Sequence, residues 1–153
     1  MNNLFIHQNT IPAMSDAAID NVRKLDQIVS ACPQTTIKTD HVLHGGMYAR
    51  TITIPANVVL TGALIKIPTM LITSGDAIVY VDGGSKRITG YNVFAASAGR
   101  KQAFVALTET RLTMLFPTNA KTVDEAEKEF TDEWASLMSV RDAASNTVLI
   151  TGE

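Results

Sequence analysis

Hydrophobic positions near the start of the chain recur at helical spacing. They are Ile19, Val22, Leu25, Ile28 and Val29, which lie on one face of a helix. Ser15 precedes Asp16 at a position that favours a helix N-cap, and Pro33 prevents the helix from continuing past Cys32. The pattern therefore predicts one amphipathic helix over residues 15–32, lying against the outside of the structure that follows.

Between residues 47 and 118 the pattern changes to short β-branched runs broken by turn residues, which is typical of an antiparallel β domain. The predicted strands are residues 47–54, 58–67, 70–73, 77–81, 86–88, 92–95, 102–107 and 111–116. In the first strand, alternate residues share the face that we expect to point inward: Tyr48, Arg50, Ile52 and Ile54. Asp82-Gly83-Gly84 is a strong hairpin signal. About eight strands at this spacing predict a jelly-roll sandwich or small barrel.

The last zone of the chain opens on a capping box. In this pattern the Thr122 side chain caps the start of a helix, and the Glu125 side chain accepts a hydrogen bond from the Thr122 backbone amide. The pattern predicts a helix over residues 122–140. Its apolar stripe consists of Val123, Ala126, Phe130, Trp134, Leu137 and Met138. Stripes of this kind are usually buried, so we expect Trp134 in the core. We expect the tail, residues 146–153, to add a strand to a sheet edge in this chain or in a neighbouring subunit.

Composition limits the class of protein. The chain is 46% hydrophobic and 18% charged, so residues 1–153 are expected to form a single domain. A net charge of −2 without a long run of basic residues argues against a protein held on nucleic acid by phosphate contacts. The start shows no secretion signal, no apolar run approaches about 18 residues, and Cys32 is the single cysteine. We therefore expect a cytoplasmic protein.

Several short motifs of the β zone occur in an order that is similar to a known family. They are Met47-Tyr48-Ala49-Arg50, Gly62, Ser74-Gly75-Asp76, Asp82-Gly83-Gly84 and Leu112-Thr113-Met114-Leu115-Phe116-Pro117-Thr118. The order resembles the cupins, and more narrowly small cupin-like proteins encoded by bacteriophages. The resemblance implies a mainly β fold, a single cupin-like jelly-roll barrel over residues 47–118 with an amphipathic helix at each end. A phage origin would place the protein in the cytoplasm of the host cell.

Metal-binding residues are missing from this pattern. Cupins in general hold a divalent metal with histidines, and the resemblance places those histidines where this chain has Ile65, Thr69 and Phe116. Gln102 stands at a further ligand position. The chain has three histidines, all before the β zone: His7, His41 and His44. Because a mononuclear site needs three or four converging ligands, we expect no metal and no cofactor.

Arg50 is the most informative polar residue on the predicted inner face, where it lies beside Tyr48. Burying an unpaired charge costs several kcal/mol, so the guanidinium must have a partner. That partner is either a bound anion or carbonyl, or a carboxylate of a terminal helix such as Asp26 or Glu129. The two alternatives predict opposite effects of Arg50→Met, because only the loss of an internal ion pair lowers the stability.

Arg100 and Gln102 follow Gly99 at the start of a strand, which in a jelly roll lies at the mouth of the barrel. If Gln102 faces inward, Arg100 guards the access and Gln102 presents an amide to the cavity. The alternative is a solvated basic turn.

His41 and His44 lie three residues apart in an extended stretch, so they point to opposite faces. They form a metal site, an exposed or hydrogen-bonded pair, or a ligand contact through at least one of them. The predicted ligand-binding residues are therefore His44, Tyr48, Arg50, Arg100 and Gln102, and no residue is predicted to be catalytic.

Three functions fit these residues. The first is non-catalytic binding of a small anionic or polar molecule, for example a host signalling nucleotide or metabolite that a phage protein sequesters. The second is a structural or interaction protein whose barrel is filled by Ile65, Met114 and Phe116. The third is a metal-independent enzyme with His44 or Tyr48 as acid or base. We also expect a homo-oligomer, a dimer, that binds neither a nucleic-acid polymer nor a membrane.

Overall fold

Two β-sheets enclose the core of the protein. The computed structural model describes residues 9–153. The strands are β1 (Thr10–Ile11), β2 (Lys38–His44), β3 (Met47–Ile54), β4 (Val59–Thr61), β5 (Thr69–Ser74), β6 (Ala77–Val81), β7 (Gly84–Ile88), β8 (Tyr91–Ala96), β9 (Ala103–Ala106), β10 (Thr110–Pro117) and β11 (Asn146–Ile150). The helices are α1 (Asp16–Ser30), α2 (Val123–Phe130) and α3 (Met138–Arg141), with 3₁₀ turns at Trp134–Ser136 and Ala143–Ser145.

The strand order is that of a jelly roll. The larger sheet runs β1-β8-β5-β10-β3-β2-β11 and the smaller sheet runs β4-β9-β6-β7. Strand β10 pairs between β3 and β5, and β9 pairs between β4 and β6, so late strands insert between early ones in both sheets. Eight strands, β3 to β10, distributed in this way over two sheets form a double Greek-key arrangement. The predicted mainly β class and jelly roll are confirmed.

Alternation along β3 places its buried side chains as predicted. Tyr48, Arg50 and Ile54 are buried, because residues two apart on a strand share a face. The main apolar cluster joins the two sheets and includes Ile54, Leu71, Phe94 and Leu112 from the larger sheet with Val79, Phe104 and Ala106 from the smaller one. A second cluster at one end joins the larger sheet to α2: Leu43, Tyr48, Met114, Phe116, Ala126 and Phe130.

Helix α1 packs on the smaller sheet. The Ser15 hydroxyl accepts a hydrogen bond from the Ala18 amide at 3.2 Å, so Ser15 is the N-cap as its position in the sequence suggests. Ala18 and Val22 are the buried face of the helix and cluster with Ala103 of β9. The helix ends at Ser30, ahead of the predicted end at Cys32.

The C-terminal helix is shorter than the sequence predicts. Thr122 caps it by accepting from the Glu125 amide at 3.2 Å, but it ends at Phe130 because Thr131 is extended, with φ −152°. The Phe130 carbonyl accepts from the Lys66 amide instead of continuing the helix. Trp134 is therefore not a core residue. It lies half-buried against the Lys128 ammonium, 4.6 Å from the ring centroid.

Strand β2 was not predicted, and the tail pairs with it inside this chain. Strand β11 lies parallel to β2 at the edge of the larger sheet, with Leu149 opposite Val42. The strand predicted at residues 58–67 is reduced to β4, Val59–Thr61. None of the helices between residues 9 and 153 is long and apolar enough to cross a membrane.

Candidate functional site

A cavity of about 920 Å³ lies between the two sheets, α1 and the segment that follows α2. Its inner wall is mainly apolar and includes Ile52, Leu60, Ile65, Leu71, Phe104, Leu112 and Met114. The volume falls within the range of about 300–1,000 Å³ that is usual for small-molecule sites. Of the five residues predicted to contact a ligand, Arg50, Arg100 and Gln102 line this cavity.

Arg100 carries a buried charge without a carboxylate partner among residues 9–153. Its guanidinium donates to the Ser97 carbonyl at 2.6 Å and to the Thr69 hydroxyl at 2.7 Å, and lies 4.0 Å from the Met114 sulfur. Burial lowers the pKa of Arg100 to about 10, since desolvation disfavours the charged form. The side chain is 2% exposed, so it lies inside the barrel and does not guard its access, and the solvated-turn alternative is wrong.

Gln102 contributes to the wall of the same cavity and carries an unpaired, buried side-chain amide. The residue is buried, and its Nε2 atom has no hydrogen-bond partner within the part of the chain that the structure describes. A buried amide donor without a partner costs about 1–3 kcal/mol. Gln102 precedes β9, and it contributes to the cavity wall together with Phe104, two residues farther along the chain. The predicted inward orientation of Gln102 therefore agrees with the structure.

The Glu133 carboxylate accepts three hydrogen bonds at the rim of the cavity. It accepts from Arg23 of α1 at 2.8 Å, from Lys101 at 2.8 Å and from the Leu64 amide at 2.9 Å. Burial alone would raise the pKa of Glu133, but the hydrogen bonds from Lys101, Leu64 and Arg23 outweigh it and lower the pKa to about 2. One carboxylate thus joins three separate parts of the chain around the opening.

We expect the contribution of Glu133 to the stability of the protein to decrease at low pH. Because the folded pKa of Glu133 lies below its ordinary value of 4.5, its contribution to stability is complete above pH 4.5 and is lost as the pH falls towards 2. We expect the melting-temperature difference between wild type and Glu133→Gln to be largest above pH 5 and to shrink below pH 4. Melting curves from pH 3 to pH 7 measure this. Asp124→Asn, which removes an exposed ion pair with Lys128, is the control and should show a small difference throughout. A pH-independent difference for Glu133→Gln would contradict the expectation.

Arg50 has an internal partner, so the ligand alternative for this residue is corrected. Its guanidinium donates to Glu127 of α2 at 2.6 Å and to the Ser139 hydroxyl at 3.1 Å, and Ser139 also donates to Glu127. Both charged side chains are buried, with 9% and 5% of their surface exposed.

The helix carboxylates named as possible partners of Arg50 bind elsewhere. Asp26 accepts from the Thr61 hydroxyl at 2.7 Å and Glu129 from the Thr118 hydroxyl at 2.6 Å. The alternative of an internal ion pair with a carboxylate of a terminal helix therefore agrees with the structure, but the carboxylate is that of Glu127 and not that of Asp26 or Glu129.

Tyr48 is not at the cavity wall, contrary to the prediction. It is fully buried between Phe116 and His41, and its hydroxyl lies 2.7 Å from His41 Nδ1. The other ring nitrogen of His41 lies 2.8 Å from Asn146 Oδ1 of β11. Burial raises the pKa of Tyr48 to about 12 and lowers that of His41. The pair ties β11 and β3 together through β2.

His44 is also misplaced by the sequence prediction. It points to the opposite side from buried His41, as the spacing of three in an extended strand predicts, and lies exposed at the end of β2. Its Nδ1 is 2.7 Å from the Thr151 hydroxyl. His44 lines a shallow surface hollow with Glu153 and does not reach the cavity. His7 lies outside the described residues.

Within residues 9–153 no three His, Cys, Asp or Glu side chains are close enough together to hold a metal ion. The positions at which the cupin resemblance places histidines have other uses here. Ile65 lines the cavity, Thr69 accepts a hydrogen bond from Arg100, and Phe116 packs against Tyr48. The residues present do not fit the metal that the resemblance would otherwise imply.

Comparisons with known proteins give matches among solved structures. No family model and no curated protein matches the sequence. A cupin superfamily protein from Desulfitobacterium hafniense is 9% identical with a TM-score of 0.46, covering 60% of this chain and 88% of that chain. KdgF from Halomonas sp. is 17% identical with a TM-score of 0.47, covering 62% and 89%. Ectoine synthase from P. lautus is 17% identical with a TM-score of 0.47, covering 65% and 76%.

Several similar structures are described as cupins. The matches are distant in sequence, and they concern the fold alone. The narrower likeness to bacteriophage proteins stays a prediction.

The carboxylates of the site were not found from the sequence. Glu127 was not singled out, although it lies on α2 one residue after Ala126 of the predicted apolar stripe. Glu133 lies in the segment predicted to continue that helix, one residue before Trp134 of the predicted apolar stripe. The available signal for Glu127 was the need of the buried cation Arg50 for a partner, whereas the burial of Lys101, the partner of Glu133, was not predicted.

Proposed function

We propose that the protein binds a small organic anion in this cavity, without a metal and without catalysing a reaction. Arg100 supplies the charge and Gln102 a hydrogen-bond donor, while the apolar wall receives the body of the molecule. The observation that carries the proposal is the buried guanidinium of Arg100, which has no carboxylate partner within residues 9–153. A buried cation without a counter-ion is costly, and a bound anion would compensate it.

The donors of Arg100 leave room for such an anion. An arginine has five N–H donors, and the contacts with Ser97, Thr69 and Met114 account for three. Neighbouring Lys101 is neutralised by Glu133, and Arg50 by Glu127, so these cations are already compensated. Arg100 is therefore the side chain on which an anionic group is best accommodated.

The alternative of a filled barrel fits the geometry less well. Ile65 and Met114, which were expected to fill the interior, contribute to the wall of the cavity, although Met114 also packs with Phe116 in the second apolar cluster. The alternative of an acid–base enzyme is also weaker. The hydrogen-bonded pair His41 and Tyr48 is buried behind the cavity wall, where a substrate in the cavity does not reach it.

Fluorescence titration with 8-anilinonaphthalene-1-sulfonate tests the proposal, because this probe joins an anionic group to an apolar body. We expect wild type to bind one molecule per chain and Arg100→Met to bind about 10–100-fold more weakly, the usual worth of a charge-assisted hydrogen bond. Arg87→Met, at an exposed arginine of β7, is the matched control and should bind like wild type. Circular dichroism confirms that each variant is folded.

Equal binding by wild type and Arg100→Met, or equal loss in the Arg87→Met control, would overturn the proposal. Displacement of the probe by nucleoside monophosphates on the one hand, and by octanoate or benzoate on the other, distinguishes a nucleotide from another metabolite. Native mass spectrometry of the purified protein then identifies a retained molecule, and elemental analysis of the same sample should find less than one transition metal per chain.

A further inference from the structure

The outer face of the larger sheet carries an unbroken apolar row. Strand pairing places six residues side by side across β8, β5, β10, β3, β2 and β11. In that order they are Ala95, Met70, Leu115, Ala49, Val42 and Leu149. Their neighbours along each strand, such as Leu71 and Met114, point into the core, so the row faces away from it.

The area around this row is poor in charge. Met70 and Leu149 are 45% and 57% exposed. The adjacent row across the same strands reads Val93, Ile72, Thr113, Thr51, Asp40 and Thr147, with one carboxylate near its end. Large contiguous apolar patches are rare on monomeric proteins and usually mark an interface.

The row is complementary to itself. A two-fold axis parallel to the strands, in the plane between two facing sheets, reverses the order of the row in the second copy. Ala95 then lies opposite Leu149 of the second copy, Met70 opposite Val42, and Leu115 opposite Ala49. In the outer and central pairs a larger side chain faces an alanine, which allows the two layers to interdigitate.

The size of the face suits a dimer. Six strands about 4.8 Å apart and five to eight residues long, at 3.4 Å per residue, present roughly 550 Å² of sheet. A standard interface buries about 800 Å² on each partner. We propose that this face binds a second copy of the same chain, so that two larger sheets stack across a two-fold axis. The proposal does not depend on what the cavity binds.

Sedimentation velocity or light scattering of the full chain at micromolar concentration tests the dimer. We expect wild type to have the mass of two chains. Met70→Lys combined with Leu149→Lys should weaken association at least about 100-fold and give the mass of one chain, because it puts two cations from each copy into the interface. Both positions are exposed within one chain, so the folded monomer should tolerate the changes.

The matched control is Ile78→Lys, which changes an equally apolar exposed residue on β6 of the smaller sheet and should leave the dimer intact. Thermal melts confirm that each variant is folded. The mass of wild type is measured over a 100-fold range of concentration that ends at about 0.1 mM. A mass of one chain over the whole range overturns the proposal, since an interface of standard size has a dissociation constant below about 0.1 mM. A dimer that survives the two lysines, or that is lost in the Ile78→Lys control, assigns the interface to another surface.

Discussion

Replacing Arg50 with methionine is expected to destabilise the protein by about 3–5 kcal/mol, because it leaves the Glu127 carboxylate buried without its cation. Among residues 9–153, Ser139 alone would remain as a donor to that carboxylate. The guanidinium also lies 5.5 Å from the Phe130 ring centroid, so packing at the end of α2 is lost with the charge. Urea unfolding of wild type and variant measures the change.

Arg100→Met is the informative control, since it makes the same substitution at another buried arginine. Arg100 forms no ion pair with a carboxylate among residues 9–153, so Arg100→Met leaves no buried carboxylate without a partner. The free energy of unfolding of this variant should therefore be equal to or above that of wild type. Arg50→Met in a Glu127→Gln background should cost much less than in wild type, because the two residues act as one pair. Similar losses for Arg50→Met and Arg100→Met would contradict this assignment of partners.

Replacing Gly75 with alanine is expected to give the second large loss of stability. Gly75 has φ +127° between β5 and β6, and a Cβ there would lie 2.6 Å from the Glu109 carbonyl oxygen and 2.9 Å from Thr110 Cα. Backbone strain of about 1–3 kcal/mol adds to a steric clash of about 1–3 kcal/mol. Chemical denaturation measures the sum.

Gly84 provides a matched control for the steric part. Its φ of +131° is nearly the same, but nothing lies within 4 Å of an added Cβ. Gly84→Ala should therefore show the strain alone and cost about 1–3 kcal/mol less than Gly75→Ala. Equal losses at the two glycines would mean that the chain between β5 and β6 moves aside at no cost.

Strand periodicity predicted most of the fold. Residues 47–54 and 77–81 match β3 and β6, because alternation and flanking turns are local properties that survive folding. Strand β2 was missed because its inward residues include Thr39 and His41, whose polarity conceals the alternation. The hydrogen bonds of His41 with Tyr48 and Asn146, and of Thr39 with the Ile37 carbonyl, make that strand's inner face compatible with burial.

The site was predicted only in part, for a related reason. Gln102 was predicted to face inward and Arg100 to lie at the mouth of the barrel, because both follow a glycine turn at the start of a strand, which is visible in sequence. The carboxylates Glu127 and Glu133 act through contacts with residues more than thirty positions away. No spacing rule connects such residues, so the ionic partner of Arg50 required the three-dimensional structure.

The carboxylate at the cavity rim has a consequence for kinetics. Since Glu133 holds Arg23, Lys101 and the Leu64 amide together, these parts of the rim separate only when several hydrogen bonds break at once. The shape of the opening is therefore kept constant while Glu133 is charged, so a molecule inside would leave at a rate set by its own contacts with the wall. Neutralising this one carboxylate would release three parts of the rim from one another and would make the exit of different molecules faster together.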